Sequence, residues 1–277
     1  MDRALRMGLL LACMTCIAAS RVRAAESDEL DNAKWKLDAN AWVSAPTGSF
    51  RGENGNGSFD LQRDFGFGNY VTFSGNVDWR FKRKHHFLLS VEPVISSRTT
   101  TIARTITWKG ETYDLGSMVK ADIQSLVFSP GYQYDIFRRR RWALGVQANV
   151  NLIYTQASLQ LAGSVSQGGG STSNSSERTG TFFAPLPAIG PVGHVYPLHS
   201  WEHFHIDGGF TGMSFFGYGN YYSAYGMAAF PVARNWDVRA GYLLGSRLKI
   251  TGSSNQIGIQ LTQKGPNFGV EYHWGIR

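Results

Sequence analysis

The feature that most constrains this chain is a two-residue alternation of apolar and polar side chains that recurs along nearly its whole length. Trp35, Leu37, Ala39, Ala41 and Val43 alternate with Lys36, Asp38, Asn40, Trp42 and Ser44. Val71, Phe73, Val77, Trp79 and Phe81 alternate with Thr72, Ser74, Asn76, Asp78 and Arg80. The pattern returns at 87–93, 126–136, 144–152, 204–210, 238–244 and 268–274, and less regularly at 183–196 and 221–230. A period of two marks strands with two unlike faces. The reading is ten strands and no helix longer than a turn or two.

Composition narrows the class. With 17% charged and 13% aromatic residues, the chain is not a disordered tail. Its two cysteines, Cys13 and Cys16, both precede the alternating region, so no disulfide scaffold is expected. No apolar run after residue 24 is long enough for a spanning helix. Residues 1–24 read as a cleaved secretory signal peptide: Arg3 and Arg6 precede an apolar stretch from Gly8 to Ala19, and Val22-Arg23-Ala24 supplies the cleavage site. The alternative is a lipoprotein signal on Leu10-Leu11-Ala12-Cys13. Cleavage removes four basic residues and one acid, lowering the net charge from +7 to +4. The expected organisation is signal peptide 1–24, a short segment 25–33, and one β-domain over 34–277.

The connections alternate in length. Long ones fall at 44–68, 96–121 and 157–182, with a moderately long one at 246–255. Short ones fall at 82–85, 137–141, 197–200 and 231–235, and 217–220 is short where a long one is due. Trp35, Trp79, Trp142, Trp201, Trp236 and Trp274 all lie at strand ends beside the short turns or the termini. Amphipathic rings at one level describe an aromatic girdle, and long loops opposite tight turns describe an outer-membrane barrel. The expected fold is therefore all-β: a closed antiparallel transmembrane β-barrel of about ten strands, with eight or twelve open until 183–196 and 99–115 are placed. The second of these stretches suits a hairpin turning at Trp108-Lys109-Gly110-Glu111. A soluble sandwich or lipocalin-like barrel also alternates, but with its apolar face inward.

The last strand, Gly265-Pro266-Asn267-Phe268-Gly269-Val270-Glu271-Tyr272-His273-Trp274, resembles the terminal strand of Gram-negative outer-membrane β-barrel proteins. Trp274 stands where Phe is usual, and three residues follow it. Gly241-Tyr242-Leu243-Leu244 and Asp78-Trp79-Arg80-Phe81 are similar to segments of small barrels of the OmpA/OmpW-like type. The resemblance implies the outer membrane as location. It implies outer-membrane lipid and lipopolysaccharide as surroundings, and the barrel-assembly machinery as partner during insertion.

If the apolar face meets lipid, then Asp38, Asp78, Arg80, Glu92, Asp135, His203, His205, Asp207, Arg239, Glu271 and His273 point into the lumen. They are expected either to fill it with ion pairs or to line a narrow path, with Arg80 and Arg239 opposite carboxylates. His203, His205 and Asp207 share one strand face at a spacing compatible with a metal, but no fourth ligand is evident and none is expected to bind. Outer-membrane phospholipases use a His-x-Ser-Asn-Gly segment that is absent here, and omptin-type proteases need a His at the outer rim. All seven histidines fall in the half with the short turns. No catalytic residues and no cofactor are assigned. The basic runs at 82–86 and 138–141 sit in short turns of an exported chain, which excludes nucleic acid as partner. The expected function is a structural barrel or narrow passive pore. The alternatives are a receptor- or adhesin-like barrel binding through its long loops and, third, a lipid-modifying enzyme.

Overall fold

In a computed structural model the alternating runs become strands and close into a barrel. The described residues are 30–44, 47–52, 57–161, 177–198, 200, 203–215, 219–251 and 257–276. The proposed signal peptide, Trp201 and the whole Ser/Gly run at 164–176 lie outside them. The strands are β1 (Ala33–Ser44), β2 (Thr47–Arg51), β3 (Ser58–Asp60), β4 (Tyr70–Lys82), β5 (His85–Thr101), β6 (Ile106–Trp108), β7 (Glu111–Tyr113), β8 (Met118–Arg139), β9 (Trp142–Leu161), β10 (Arg178–Val195), β11 (His205–Phe215), β12 (Gly219–Ala233), β13 (Trp236–Ile250) and β14 (Gly258–Ile276). β1, β4, β5 and β8 to β14 pair antiparallel in that order. β14 returns to β1 from Ala33↔Ile276 to Trp42↔Asn267. The ten-strand sheet thus has no free edge over that stretch, which satisfies backbone donors and acceptors without water.

One end carries the tight turns at 83–84, 140–141 and 234–235; it is called the turn end. The other carries the hairpins β2–β3 and β6–β7; it is called the loop end. The wall is inverted relative to a soluble barrel. Phe73, Ile95 and Leu244 are 60%, 63% and 66% exposed on the outside, while Asp135, Arg239 and Glu271 are buried inside. A sandwich or lipocalin-like barrel would bury the first set.

β8 has 22 residues and β9 has 20, well beyond the roughly 9–11 needed to cross a bilayer. β5 continues to Thr101 and β8 starts at Met118, inside the stretch 96–121 read as a loop. The ladder there runs unbroken from Ser96↔Ile123 to Thr101↔Met118. Residues 96–101 are polar on both faces, so the period-two signal vanishes although the strand continues.

Two seams lack this continuity. The β4–β5 ladder stops at Gly75↔Val91. Beyond it, residues 70–74 pair only with β1 and residues 92–101 only with β8. Pro93 lies just past the stop, without an N–H to donate. Its carbonyl accepts from Thr72 Oγ1 at 2.6 Å in place of a ladder amide. The second seam follows Ile189↔Gly212 between β10 and β11. Pro185, Pro187 and Pro191 share one parity on β10 and thin the ladder there.

The loop end is capped. Phe50, Phe59, Leu61, Phe65, Phe67, Ile102, Ile106, Trp108 and Tyr113 are buried together against the inner wall at Val119, Leu159, Phe182 and Ile259. The hairpin expected around Trp108 is present, turning on Lys109 and Gly110 with φ of 48° and 80°. Such left-handed pairs match strand twist and form two-residue hairpins. Trp108 lies over Gly180, where a Cβ would stand 2.9 Å from its ring and 2.6 Å from Ile257. The indole N–H donates to the Arg178 carbonyl at 3.1 Å. Asp64 pins the first loop: Arg104 reaches both its oxygens at 2.7 and 2.6 Å, and the Asp60 amide donates to it at 2.7 Å.

Candidate functional site

Alternation sends every second residue of each strand inward, and near the turn end those residues are charged. Asp31, just before β1, lies buried across the opening. Its carboxylate is 3.0 Å from Lys36 Nζ, 3.2 Å from Arg80 Nη1 and 3.0 Å from Arg138 Nη2, with His194 at 3.5 Å. Its backbone carbonyl accepts from Arg80 and from Arg138. Burial opposes the charge of Asp31, but Lys36, His194 and Arg138 outweigh it and hold the carboxyl far below the usual range. Arg138 also meets Asp135 at 2.6 Å, and His86 bridges Asp135 and Asp78 at 3.2 and 2.8 Å. On the neighbouring wall Arg239 joins Asp38, Asp207 and Glu271 at 2.6, 3.0 and 3.5 Å.

Two carboxylate–histidine groups here have metal-compatible spacing: His205, Asp207, Glu271 and Asp237, Glu271, His273. In the first, Arg239 already occupies the carboxylates. In the second, a cation would compete with Arg239 for Glu271, and each group offers only three ligands. Mutual neutralisation by Arg239 is the better account of both.

Toward the loop end the inward residues become small or apolar, and a chamber of about 180 Å³ opens. Trp42, Ser74 and Asn267 line it with Val127, Ile153 and Leu243, and Phe50, Leu61 and Phe67 reach it from the cap. Some of its polar groups are paired: Gln263 Nε2 donates to the Tyr70 hydroxyl, and Ser125 and Thr155 share a hydrogen bond of 2.9 Å. Glu92 also lines the chamber, and its carboxyl makes no hydrogen bond or ion pair with a described residue. The Trp42 indole N–H and Asn267 Oδ1 are buried without a partner among the described residues.

Of the lumen residues read from the sequence, Asp78, Arg80 and Asp135 fall in the Asp31 group, and Asp38, His205, Asp207, Arg239 and Glu271 in the Arg239 group. Glu92 stands apart in the chamber wall. His203 does not point inward. β11 starts at His205, so His203 is exposed in the preceding turn, and only its carbonyl takes part, 3.2 Å from His205 Nδ1. The expected His203–His205–Asp207 face is therefore not formed. Arg138 is a second correction, because it belongs to β8 and is buried in the lumen, not placed in the short turn. A bulge between Asp135 and Phe137 turns both Ile136 and Phe137 outward and returns Arg138 to the inside. Lys36, whose inward parity was legible, His86 and His194, and Asp31, which precedes the pattern, are the other residues of these groups not foreseen.

Outside, at the turn end, the aromatic residues form a continuous arc. Trp35 stacks between Trp79 and Trp274, with centroids 5.2 and 5.9 Å away. Tyr272 connects Trp274 to Trp236 at 5.3 and 4.8 Å. Trp142 lies apart, 6.4 Å from Phe137.

No protein-family model matches the chain. No curated protein matches it. Solved structures do. The outer membrane protease OmpT from Escherichia coli is similar with a TM-score of 0.54 and 16% identity, over 89% of this chain and 100% of that one. The attachment invasion locus protein Ail of Yersinia pestis gives 0.38 and 10%, over 87% and 99%. The Neisserial surface protein A gives 0.34 and 13%, over 87% and 98%. The first likeness shows a shared fold: this chain has the architecture of an outer-membrane β-barrel.

Proposed function

We propose that this chain is a closed, non-enzymatic barrel of a Gram-negative outer membrane, acting as a structural barrel with a binding face at its loop end and not as a passive pore. The turn end would face the periplasm, with the aromatic arc at the lipid boundary. Outer-membrane lipid and lipopolysaccharide would surround it, and the last strand, ending on Trp274, would be the segment presented to the assembly machinery. Residues 1–24 would be the cleaved leader.

The observation that carries this reading is the state of the two arginines a selective pore would present to solvent. Arg80 is held by Asp31, both buried, and the buried Arg239 by the half-buried Asp38 and Asp207. Above them the cap fills the mouth with aromatic side chains. Both features support a lumen without a continuous water path. The non-enzymatic reading rests on the histidines, since those described at 85, 86, 194, 203, 205 and 273 all belong to the turn end.

The test is single-channel conductance of the refolded chain in planar bilayers, with Arg80→Ala and Arg239→Ala beside it. The expected result for the unmodified protein is a folded barrel without discrete steps. Steps of fixed size that change with either substitution would refute the proposal and make the arginines selectivity residues.

A further inference from the structure

We infer that the chamber behind the cap is a ligand site for a small apolar amine, reached sideways from the outer leaflet through the seam between β4 and β5. This rests on the membrane reading above, and it adds a ligand class and a route. Four observations meet at one place. The first is the chamber itself. Its volume of about 180 Å³ is close to the roughly 150 Å³ of an apolar cavity that holds benzene.

The second is Glu92. This half-buried carboxyl group faces the chamber from a largely apolar wall and has no hydrogen bond or ion pair from a described residue, so no side chain of the wall compensates it. Elsewhere in this lumen the inward carboxylates are given cations: Asp31 has Lys36, Asp38 has Arg239 and Asp135 has Arg138. Glu92 is left for a cation that arrives from outside the chain. The third observation is Trp42, which lines the same space with its indole N–H unpartnered, offering an aromatic surface and a donor.

The fourth is the seam. Beyond Gly75↔Val91 the two strands are bridged by Thr72 Oγ1 on the Pro93 carbonyl, with no ladder pair between them. Unpaired backbone in hydrocarbon is costly, so a break at that depth is a weak point in the wall. Its outer lips, Val71, Phe73 and Ile95, are strongly exposed and apolar. Its inner lips, Tyr70, Ser74 and Glu92, line the chamber. A molecule dissolved in the outer leaflet thus meets an apolar surface first and the carboxylate next. An ammonium group would pair with Glu92 and a ring would lie among Trp42, Val127 and Leu243.

The experiment uses three probes with one apolar body: 2-phenylethylamine, ethylbenzene and phenylacetate. Each is titrated into the folded full chain by calorimetry. The amine is expected to bind one to one, and Glu92→Gln to weaken it about tenfold or more while leaving ethylbenzene unchanged. Val94→Trp, which fills the chamber from the same strand, is expected to abolish binding of both. Phenylacetate is expected to bind least. Absence of saturable binding by any probe overturns the site, and equal amine affinity in Glu92→Gln overturns the role of the carboxylate. For the route, the amine is loaded into liposomes and association is followed through Trp42 fluorescence, with Trp42→Phe as the control. Pro93→Val, which restores a ladder donor, and Phe73→Trp, which thickens the outer lip, are expected to slow association several-fold with little change in affinity. Unchanged rates in both overturn the seam as the route. Conductance steps in the unmodified protein would instead overturn the closed-barrel reading, independently of the binding result.

Discussion

Replacing Asp31 by Ala removes the anion on which three cations converge. Asp31 is 5% exposed, and Lys36, Arg80 and Arg138 lie within 3.2 Å of its carboxylate. Removing one partner of a buried pair costs about 3–5 kcal/mol, because the remaining charge is left uncompensated. Two details reduce the loss. Arg138 keeps Asp135 at 2.6 Å, and the Asp31 carbonyl still accepts from both arginines. The expected destabilisation is therefore near the lower bound, about 3 kcal/mol. Urea unfolding in detergent micelles, followed by tryptophan fluorescence, measures it. Asp31→Asn should lose less, since its amide oxygen still accepts hydrogen bonds. The pH dependence separates charge from packing. The native carboxyl lies far below its unfolded value, so its contribution is complete above about pH 4 and is lost as pH falls toward the native pKa. The gap between the unmodified protein and Asp31→Ala should then narrow from pH 5 to pH 3, roughly the window set by the unfolded carboxylate. A loss under about 1 kcal/mol, or a gap equally wide at both ends of that window, would refute the reasoning.

Two further outcomes concern the cap. Gly180→Leu should loosen it by about 1–3 kcal/mol, because a Cβ at 180 already collides with Ile257 and Trp108; a red shift of Trp108 emission, absent in Trp108→Phe, reports this. Asp64 is buried, which opposes its charge, but hydrogen bonds from Arg104, the Asp60 amide and Arg63 hold its carboxyl below the usual value. Its hold on the first loop should be complete above about pH 4 and weaken in stronger acid, so protease cleavage in 57–69 should rise there, and Arg104→Gln should remove most of that pH dependence.

The strand pattern was legible because one face of each strand is apolar and the other is not. The same logic explains where it failed. At 96–101 both faces are polar, and the extension of β5 disappeared into an expected loop. At Asp135–Phe137 an extra residue reverses the parity, so Arg138 read as part of a turn when it is among the most buried cations. His203 failed for the opposite reason: alternation was extended past the true start of β11. Asp31 carries no periodic signal, since it enters the lumen from outside the sheet. The chamber was not legible either. Glu92 read as one more inward charge, and nothing in its own strand indicates that neighbouring strands place no cation beside it. Pro93 was visible, but whether its missing N–H faced β8 or β4 depended on the register.

The chamber's position follows from side-chain size. A barrel of about eight strands is just filled by its own side chains, and ten strands leave somewhat more to fill. Near the turn end, long side chains such as Lys36, Arg80, Arg138 and Arg239 supply that volume and charge balance holds them in place. One level up, the inward positions include Ser74, Ser96, Ser125, Thr155 and Ser223, and the deficit appears there as empty space. If that layer served only to pack the barrel, larger apolar residues would stabilise it at no cost. The Ser223 hydroxyl has no hydrogen-bond partner among the described residues, so Ser223→Leu should add about 0.5–2 kcal/mol of stability by filling the space. The same substitution should remove binding of 2-phenylethylamine. Stabilisation with loss of binding would mean that the void is kept open at the expense of stability, as expected of a site. Destabilisation would mean that the serine layer is already packed to its limit, and the chamber would lose its claim to hold a ligand.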